Sequence, residues 1–349
     1  MLRGRGPADG PAPFAFIAAI PPPFRRPWRR TARRALITAV RLTGKKECAA
    51  TAAAGALLLL VGLGHAPGAS PWFEVLANFR LHLAVLAGIV GLVALLRRWR
   101  LGAGLALGAA TLAVAGLGPA LETAERPGRG FAVTLLYANL RDDNAETAAL
   151  IRALAGADAD ILVTSETMPP VAKALAALYP HAVVAGEGAS RRTAIWSRFP
   201  LTGGQLFRNN TVAPTAATAR AELWDDRRLS IIGAHFSRPF EGLHMRQADA
   251  LGTMAARLGA PLVVAGDFNA APWSRLVRRA AAASGTGVLG GYRVTWRGAY
   301  PTPLGPLPAP WGQQIDQILL SPGFGVEAVR TVALPGSDHR GVMVRLRVP

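Results

Sequence analysis

The residues best suited to chemistry follow an apolar run over residues 261–265. Gly266 ends that run, and Asp267 and Asn269 come next, two positions apart. An uninterrupted apolar run that ends at a glycine predicts a strand buried on both faces. Side chains alternate along a strand, so Asp267 and Asn269 should point the same way at its carboxyl end. A carboxylate and an amide there suit a divalent metal ion and a phosphate oxygen, although both residue types are also common in ordinary turns.

Other strand-like runs carry polar residues at or near an end. In chain order, these residues are Asn139, Glu166, His235, Asp316 and the pair Asp338–His339. Taken singly, each is a weak signal, because polar residues are frequent wherever a strand gives way to a turn. These five signals and the Asp267–Asn269 motif make six in one chain, and together they indicate a polar site built at the ends of buried strands.

The ordered series of these motifs resembles the endonuclease/exonuclease/phosphatase superfamily, which includes DNase I-like nucleases, sphingomyelinases and inositol-polyphosphate phosphatases. The resemblance extends over residues 131–349. It implies an α/β fold, the four-layer αββα (DNase I-like) sandwich, and a hydrolase of phosphate esters that uses Mg²⁺ or Mn²⁺. The pattern of many short strands with a few helices after residue 131 agrees with such a layered architecture.

For the metal, the resemblance implies Glu166 as the principal ligand, with Asn139 beside it. A carboxylate at a strand end is suitable, because Mg²⁺ prefers oxygen ligands and keeps several waters. Glu166 could instead cap the helix expected to begin near Pro169, but the ordered series favours the ligand role. Asp338 could reach a second metal or the nucleophile, and the sequence leaves both roles open.

The same resemblance assigns the catalytic residues. Asp316 and His339 correspond to an Asp–His pair, in which the carboxylate fixes the tautomer of the imidazole and raises its basicity. Such a histidine would deprotonate the attacking water or hold the scissile phosphate. His235 would contact phosphate or protonate the leaving group, Asp267 would orient or activate the water, and Asn269 would bind a phosphate oxygen.

The distribution of charge separates a basic tail from the rest of the chain. The 349 residues carry a net charge of +18, of which residues 1–46 contribute +10 and residues 131–349 only +6. The tail is rich in proline and arginine, so we expect it to be disordered and cytoplasmic. The small charge of the C-terminal region is weak support for nucleic-acid binding. The single cysteine, Cys48, excludes an intramolecular disulfide.

Three apolar stretches follow the tail: Cys48–Gly64, Leu81–Leu96 and Leu101–Ala120. A helix needs about 20 apolar residues to cross the hydrocarbon layer of a membrane. The third stretch has that length, and the first two reach it if their flanks contribute. Because the stretches have no amphipathic face, we predict three transmembrane helices over residues 47–120 rather than buried helices of a soluble domain. Residues 121–130 would then link this region to the C-terminal domain.

Basic residues in the short loops predict the orientation of these spans. The tail is strongly basic, and Arg97–Arg100 holds three arginines, whereas the loop His65–Asn78 holds none. The tail and the arginine-rich turn should therefore lie in the cytoplasm. Three spans then place the C-terminal domain on the outer side of the cell membrane.

Three classes of function are compatible with these observations. The favoured one is a membrane-anchored phosphoesterase that hydrolyses ester or pyrophosphate bonds of a phosphate-containing substrate, with lipid-linked phosphates of the bilayer as the first candidate. One alternative is an extracytoplasmic endonuclease or exonuclease acting on DNA or RNA. Another is a non-catalytic, membrane-tethered binding module, which would normally have lost one of the six motifs. Nothing in the sequence indicates a protein partner.

Overall fold

The structure is a computed structural model, and it describes residues 44–66, 70–184, 192–208 and 212–349. Most of the basic tail that we predict over residues 1–46 lies outside the described residues. The described chain begins with a series of helices and continues into an α/β sandwich.

The helices that precede the sandwich are α1 (Lys45–His65), α2 (Pro71–Asn78), α3 (Arg80–Leu96), α4 (Arg100–Val114) and α5 (Gly118–Leu121). The prediction of a loop from His65 to Asn78 is wrong, because α2 occupies its second half. Ser70 is the N-cap of α2 and Pro71 follows it. Proline suits the first position of a helix, since its φ angle is already helical and its missing N–H is not needed there.

Among the described helices, only α1 is long and apolar enough to cross a membrane by itself. Helices α2 and α3 pass the same test together, but the chain bends by 62° between them. Helix α4 has 15 residues and ends at Val114, well before Ala120. Gly116 follows with a φ of +78°, a left-handed conformation that is typical of helix ends. Length and composition thus support one candidate span, and the three-span arrangement stays a prediction.

The strands begin with β1 (Phe131–Asn139), β2 (Ile161–Ser165), β3 (His181–Val183), β4 (Ala194–Ser197), β5 (Leu201–Phe207), β6 (Thr215–Glu222) and β7 (Arg228–His235). They continue with β8 (Leu262–Asp267), β9 (Gly287–Val288), β10 (Ala299–Thr302), β11 (Gly305–Pro308), β12 (Asp316–Leu320), β13 (Gly325–Ala333) and β14 (Arg340–Val348). One six-stranded sheet has the order β13-β14-β1-β2-β4-β3, and the other has the order β5-β6-β7-β8-β12-β9. Strands β10 and β11 form a separate hairpin.

Helices cover the outer face of each sheet. They are α6 (Thr147–Gly156) and α7 (Pro169–Leu178) on the first sheet, and α8 (His244–Leu258) and α9 (Arg275–Ser284) on the second. Leu150 of α6 packs with Leu162 of β2, and Leu251 of α8 packs with Val264 of β8. The core between the sheets includes Val133, Val163, Ile231, Val263 and Ile318. The order helix, sheet, sheet, helix gives the four-layer α/β sandwich that we expected.

The directions of the central strands bring the polar strand ends to one edge of the sandwich. Strands β1 and β2 run parallel, so Asn139 lies beside Ser165. Strands β7 and β8 also run parallel, so His235 lies beside Asp267. Strand β12 is antiparallel to β8 and begins at that same edge, where Asp316 pairs with Asp267. Both sheets therefore contribute candidate site residues to the same edge of the sandwich.

Candidate active site

Asp316 and His339 form a buried pair at the base of the site. His339 Nδ1 lies 2.9 Å from Asp316 Oδ2 and 3.1 Å from Asp316 Oδ1. Burial lowers the pKa of His339, but the attraction and hydrogen bonding of Asp316 outweigh it, with a further contribution from Asp267, and raise that pKa to about 10. The imidazole is therefore held in its charged form, which attracts a phosphate oxygen more readily than it takes a proton from water. The predicted contact is present, and its catalytic role stays a prediction.

Asp267, at the end of β8, is the centre of the polar network. Its side chain is almost completely buried, and His235 Nε2 and His339 Nε2 lie 3.6 Å and 3.8 Å from Asp267 Oδ2. Asn139 Nδ2 donates a hydrogen bond to the same oxygen at 3.1 Å. Burial raises the pKa of Asp267 to about 7, and the nearby carboxylate of Asp316 adds to this rise. A buried carboxylate among other carboxylates favours a nearby cation, because a positive charge offsets the cost of burying negative ones.

Glu166 follows β2 directly, with a φ of +53°. This left-handed backbone conformation is uncommon for a residue with a side chain, and such strain is frequent at functional sites. Glu166 Oε1 accepts a hydrogen bond from Asn139 Nδ2 at 3.2 Å, and Glu166 Oε2 accepts one from the Asp142 backbone N–H at 3.1 Å. The alternative role of Glu166 as a helix cap does not apply, because Met168 is the N-cap of α7.

His235 and Asn269 complete the predicted constellation from the side of the second sheet. His235 Nε2 lies 3.5 Å from Glu166 Oε1, so this imidazole sits between two carboxylates. Asn269 has a φ of +50°, and its backbone N–H donates to Asp267 Oδ1 at 2.8 Å. Its side-chain Nδ2 donates to the carbonyl of Phe236 at 2.9 Å, the residue after His235. The turn after β8 is thereby fixed against the end of β7.

Asp338 lies on the loop that leads into β14. Gly336 in this loop has a φ of +75°, and a Cβ there would lie 1.9 Å from Asn144 Oδ1, so a larger residue would displace the Asn144 side chain. Trp296 Nε1 donates a hydrogen bond to Asp338 Oδ2 at 2.8 Å, and Ser337 Oγ donates to the carbonyl of Asn139 at 2.9 Å. These bonds orient Asp338 towards the cavity that it lines. These contacts do not test the prediction that Asp338 is a metal ligand.

The polar network forms one side of a cavity of about 440 Å³. Its lining includes Glu166, Asn269, Asp338 and His339, three arginines (Arg141, Arg238 and Arg297), and the aromatic residues Trp296 and Tyr300. Of the arginines, Arg238 closely follows His235 in the sequence, which was a usable signal for it. Arg141 could have been found as well, because it lies two residues after Asn139. Arg141 is paired with Asp143, which lines the same cavity. The guanidinium groups of Arg238 and Arg297, with Arg141 beside them, suit an anionic substrate.

The donor atoms of this site fit a divalent cation. Asp267, Asp316 and His339 offer ligand atoms within 4.8 Å of one another. In that group, however, both oxygens of Asp316 already accept from His339, so an ion there would compete with the pair. Glu166 adjoins Asp267 on the other side and provides the carboxylate oxygens that Mg²⁺ prefers. Asn139 directs its Nδ2 at both carboxylates and its Oδ1 accepts from the Arg141 backbone N–H, so its part as a ligand stays a prediction. Asp267 is common to both groups.

Solved structures of low sequence identity share the fold of this chain. A protein of the endonuclease/exonuclease/phosphatase family from Bacteroides vulgatus matches with a TM-score of 0.52 and 15% identity, over 63% of this chain and 100% of that one. A family protein from Bacteroides thetaiotaomicron matches with a TM-score of 0.50 and 17% identity, over 63% and 96% of the two chains. The human nocturnin catalytic domain matches with a TM-score of 0.50 and 17% identity, over 64% and 97%.

None of the curated proteins is similar enough to this sequence to count as a match. The family model, by contrast, covers most of the sandwich and ends at the catalytic histidine candidate His339. Residues 129–339 match the model of the Endonuclease/Exonuclease/phosphatase family, and the chain belongs to that family.

Proposed function

We propose that this protein is a metal-dependent phosphoesterase that hydrolyses phosphate ester or pyrophosphate bonds at the cavity. The observation that carries the proposal is the continuous network from Asp316 through His339 and Asp267 to Asn139 and Glu166. A non-catalytic binding module would not need a buried Asp–His pair beside clustered carboxylates, because such groups are costly to bury and stabilise the fold poorly.

Glu166 and Asn139, with Asp267 beside them, are the residues that would hold Mg²⁺ or Mn²⁺. When bound, the metal would supply Lewis-acid stabilisation of charge on the phosphoryl oxygens. His339 and His235 would contact phosphate oxygens from either side of Asp267, which lies within 4 Å of both imidazoles. Asp267 would orient the attacking water, and Asn269 would bind a phosphate oxygen. Fixed positive and polar groups are effective here, because they need no rearrangement as charge develops.

The arginine side chains suggest how the substrate is bound. Arg141, Arg238 and Arg297 line a cavity of about 440 Å³, so its anion-binding groups are concentrated in one concave place. Duplex DNA is held instead by many phosphate contacts spread along an extended surface. A compact phosphate or pyrophosphate group fits the concentrated arrangement better. The nocturnin catalytic domain carries a bound sulfate, which is consistent with tetrahedral anion binding on this fold.

The apolar helices suggest where the substrate is found. We infer that α1 spans the membrane and that α3 and α4 enter it as well. Large apolar side chains of α3 remain exposed, among them Leu86, Ile89, Leu92 and Leu96. With the basic tail and Arg97–Arg100 in the cytoplasm, the sandwich faces the outside. A site tethered to the bilayer meets lipid head groups at high effective concentration, so lipid-linked phosphates are the proposed substrates.

The test is a substrate panel for the full chain, purified in detergent and supplied with Mg²⁺. A prenyl pyrophosphate, a generic phosphodiester, RNA and plasmid DNA would be compared across a salt series. We expect the lipid pyrophosphate to be hydrolysed fastest, with little dependence on salt. Faster cleavage of DNA with a steep loss of rate at high salt would instead identify a nuclease, because nucleic-acid binding releases counterions. Hydrolysis of none of the four would contradict the proposal.

A further inference from the structure

Helix α2 packs directly against the elements that surround the cavity. The Trp72 ring meets the Phe240 ring edge-on, with centroids 4.7 Å apart, and Phe240 lies two residues after the cavity residue Arg238. Val75 belongs to a buried cluster with Trp296, whose Nε1 orients Asp338. The helix therefore supports two walls of the site, although it lies outside the part of the chain that matches the family model.

Asn78, the last residue of α2, makes the most specific of these contacts. Its Nδ2 donates to the carbonyl of Asn269 at 3.1 Å and to the Tyr300 hydroxyl at 2.9 Å. Its Oδ1 accepts from the backbone N–H of Ala271 at 2.7 Å. The side chain is 1% exposed. One amide thus binds both an acceptor and a donor on the turn that follows β8, in the way that a neighbouring strand would.

The turn held by Asn78 needs such external support. Asn269 adopts a left-handed backbone conformation, which is less favourable than the right-handed one for a residue with a Cβ. Two further bonds from outside the turn hold it: Gln317 Nε2 donates to the carbonyl of Ala270, and Trp273 Nε1 donates to the carbonyl of Ala77 in α2. A strained backbone conformation persists when several surrounding contacts hold it in place.

We propose that Asn78 is a positioning residue of the active site: it fixes the Asn269 turn, so the N-terminal helices complete the site. The inference rests on the proposed function, because it assigns Asn269 a role in binding the substrate phosphate. Asn78 itself does not line the cavity. Its effect on turnover passes through Asn269, and a small displacement of a catalytic group is enough to lower the rate strongly.

Asparagine is required at this position because the turn presents one acceptor and one donor. Leucine has a similar size but can bond to neither. Asn78→Leu would therefore remove the bond to the Ala271 N–H and leave the Asn269 carbonyl with the longer bond from the Tyr300 hydroxyl, at 3.4 Å. Aspartate keeps an oxygen that can accept from Ala271 but has no N–H for Asn269 when ionised. Tyr179→Phe is a matched control, since it also removes one buried hydrogen bond, to the carbonyl of Ala159 at the opposite end of β2.

The experiment uses the full chain in detergent and measures kcat and KM on the best substrate of the panel, together with amide hydrogen exchange. In Asn78→Leu we expect kcat to fall by about 10-fold or more, with a smaller change in KM. The amides at residues 269–271 should exchange faster, while those of β1 stay protected. Asn78→Asp should fall between this variant and the native protein. Tyr179→Phe should lower the melting temperature by a comparable amount but keep the native kcat.

Two results would overturn the inference. One is an Asn78→Leu protein whose kcat stays within about 2-fold of native, since a displaced turn should cost more. The other is unchanged exchange at residues 269–271. If the chain hydrolyses no substrate, the proposed function fails, and the exchange measurement still decides whether Asn78 holds the turn. If Asn78→Leu does not fold, the same comparison is made with Asn78→Asp.

Discussion

At the residue scale, the site depends on how each side chain is held rather than on which residue types are present. His339 is oriented through Nδ1 by Asp316, which leaves Nε2 free to face Asp267. Glu166 and Asn269 both reach their positions through left-handed backbone conformations. A sequence gives the identities of these residues, but the orientation of each one comes from its neighbours in other segments.

Asp316→Asn tests this dependence. The amide cannot hold a charged imidazole, and it offers only one oxygen where the carboxylate offers two. We expect kcat to fall by about 10²–10³-fold, the usual loss when a positioned group that stabilises charge in the transition state is removed. Steady-state kinetics of the full chain would measure it, with Asp249→Asn as the control, because Asp249 is exposed and pairs with Arg279 instead. Equal losses in both variants would argue against a special role for Asp316.

At the scale of elements, the strand ends explain why so much of the site could be predicted. Parallel strands bring their carboxyl ends to one edge, so Asn139 of β1 lies beside the end of β2, and His235 of β7 lies beside Asp267 of β8. The packing of the two sheets then brings the two pairs of strand ends together. Strand alternation, by contrast, does not explain how Asp267 and Asn269 meet, because β8 ends at Asp267 and Asn269 follows in a left-handed conformation, where its backbone N–H donates to Asp267 Oδ1. The residues of the site could be predicted because local sequence patterns identify the buried strands and the polar residues at their ends.

Other parts of the site could not be predicted from local pattern. Asn78 lies in a segment that looked like a loop between apolar helices, and its partners are about 190 residues further along the chain. Ser70 and Pro71 were a usable signal for a helix start there. Nothing near Asn78 in the sequence, however, indicates a partner in the turn after β8. Arg297 was missed for the same reason, since only folding brings it to the cavity.

Helix α8 provides a prediction about pH. His244 at its first position is buried, and burial lowers its pKa to about 4, despite an opposing contribution from Glu241. The folded protein therefore holds this ring neutral, whereas the unfolded chain binds a proton near pH 6.5. The contribution of neutral His244 to the free energy of unfolding is therefore fully present above the unfolded pKa. It is lost as the pH falls towards the folded pKa, and the loss reaches about 2 kcal/mol at about pH 5.

The measurement is the melting temperature of the full chain in detergent, at neutral pH and near pH 5. His244→Phe should lose less stability between the two conditions than the native protein does, whatever its melting temperature at neutral pH. His181→Phe serves as the control, because that ring is partly exposed in β3. If native protein and His244→Phe show the same dependence on pH, another group causes the acid sensitivity.

At the scale of the whole molecule, the charge distribution and the apolar helices make a prediction about topology. A reporter that works only outside the cytoplasm should be active when fused after Gly130 and inactive when fused after Arg100. The reason is that arginines accumulate in the tail and at Arg97–Arg100, and cytoplasmic loops are the ones enriched in such residues. The opposite pattern would place the sandwich in the cytoplasm and remove the argument for an outer-leaflet substrate.

The selection of the substrate also depends on the charge distribution of the whole molecule. The sandwich carries only +6, and the arginines of the cavity are concentrated rather than spread along a surface. Helix α2 connects the apolar helices to the turn after β8 through Asn78. The apolar helices and the turn that holds Asn269 are therefore joined by direct contacts, which would suit the proposed site beside a membrane.

In the proposed site, Glu166 helps to hold a metal ion while His339 acts on the substrate. Two variants of the full chain, Glu166→Gln and His339→Ala, separate these roles when Mn²⁺ binding and turnover are measured in both. We predict that Glu166→Gln binds Mn²⁺ more weakly, by about 10-fold or more. His339→Ala should bind it as the native protein does, yet lose at least about 10²-fold in kcat. Loss of Mn²⁺ binding in His339→Ala would place the ion between Asp267, Asp316 and His339 instead, and near-native turnover would contradict the assignment of His339 altogether.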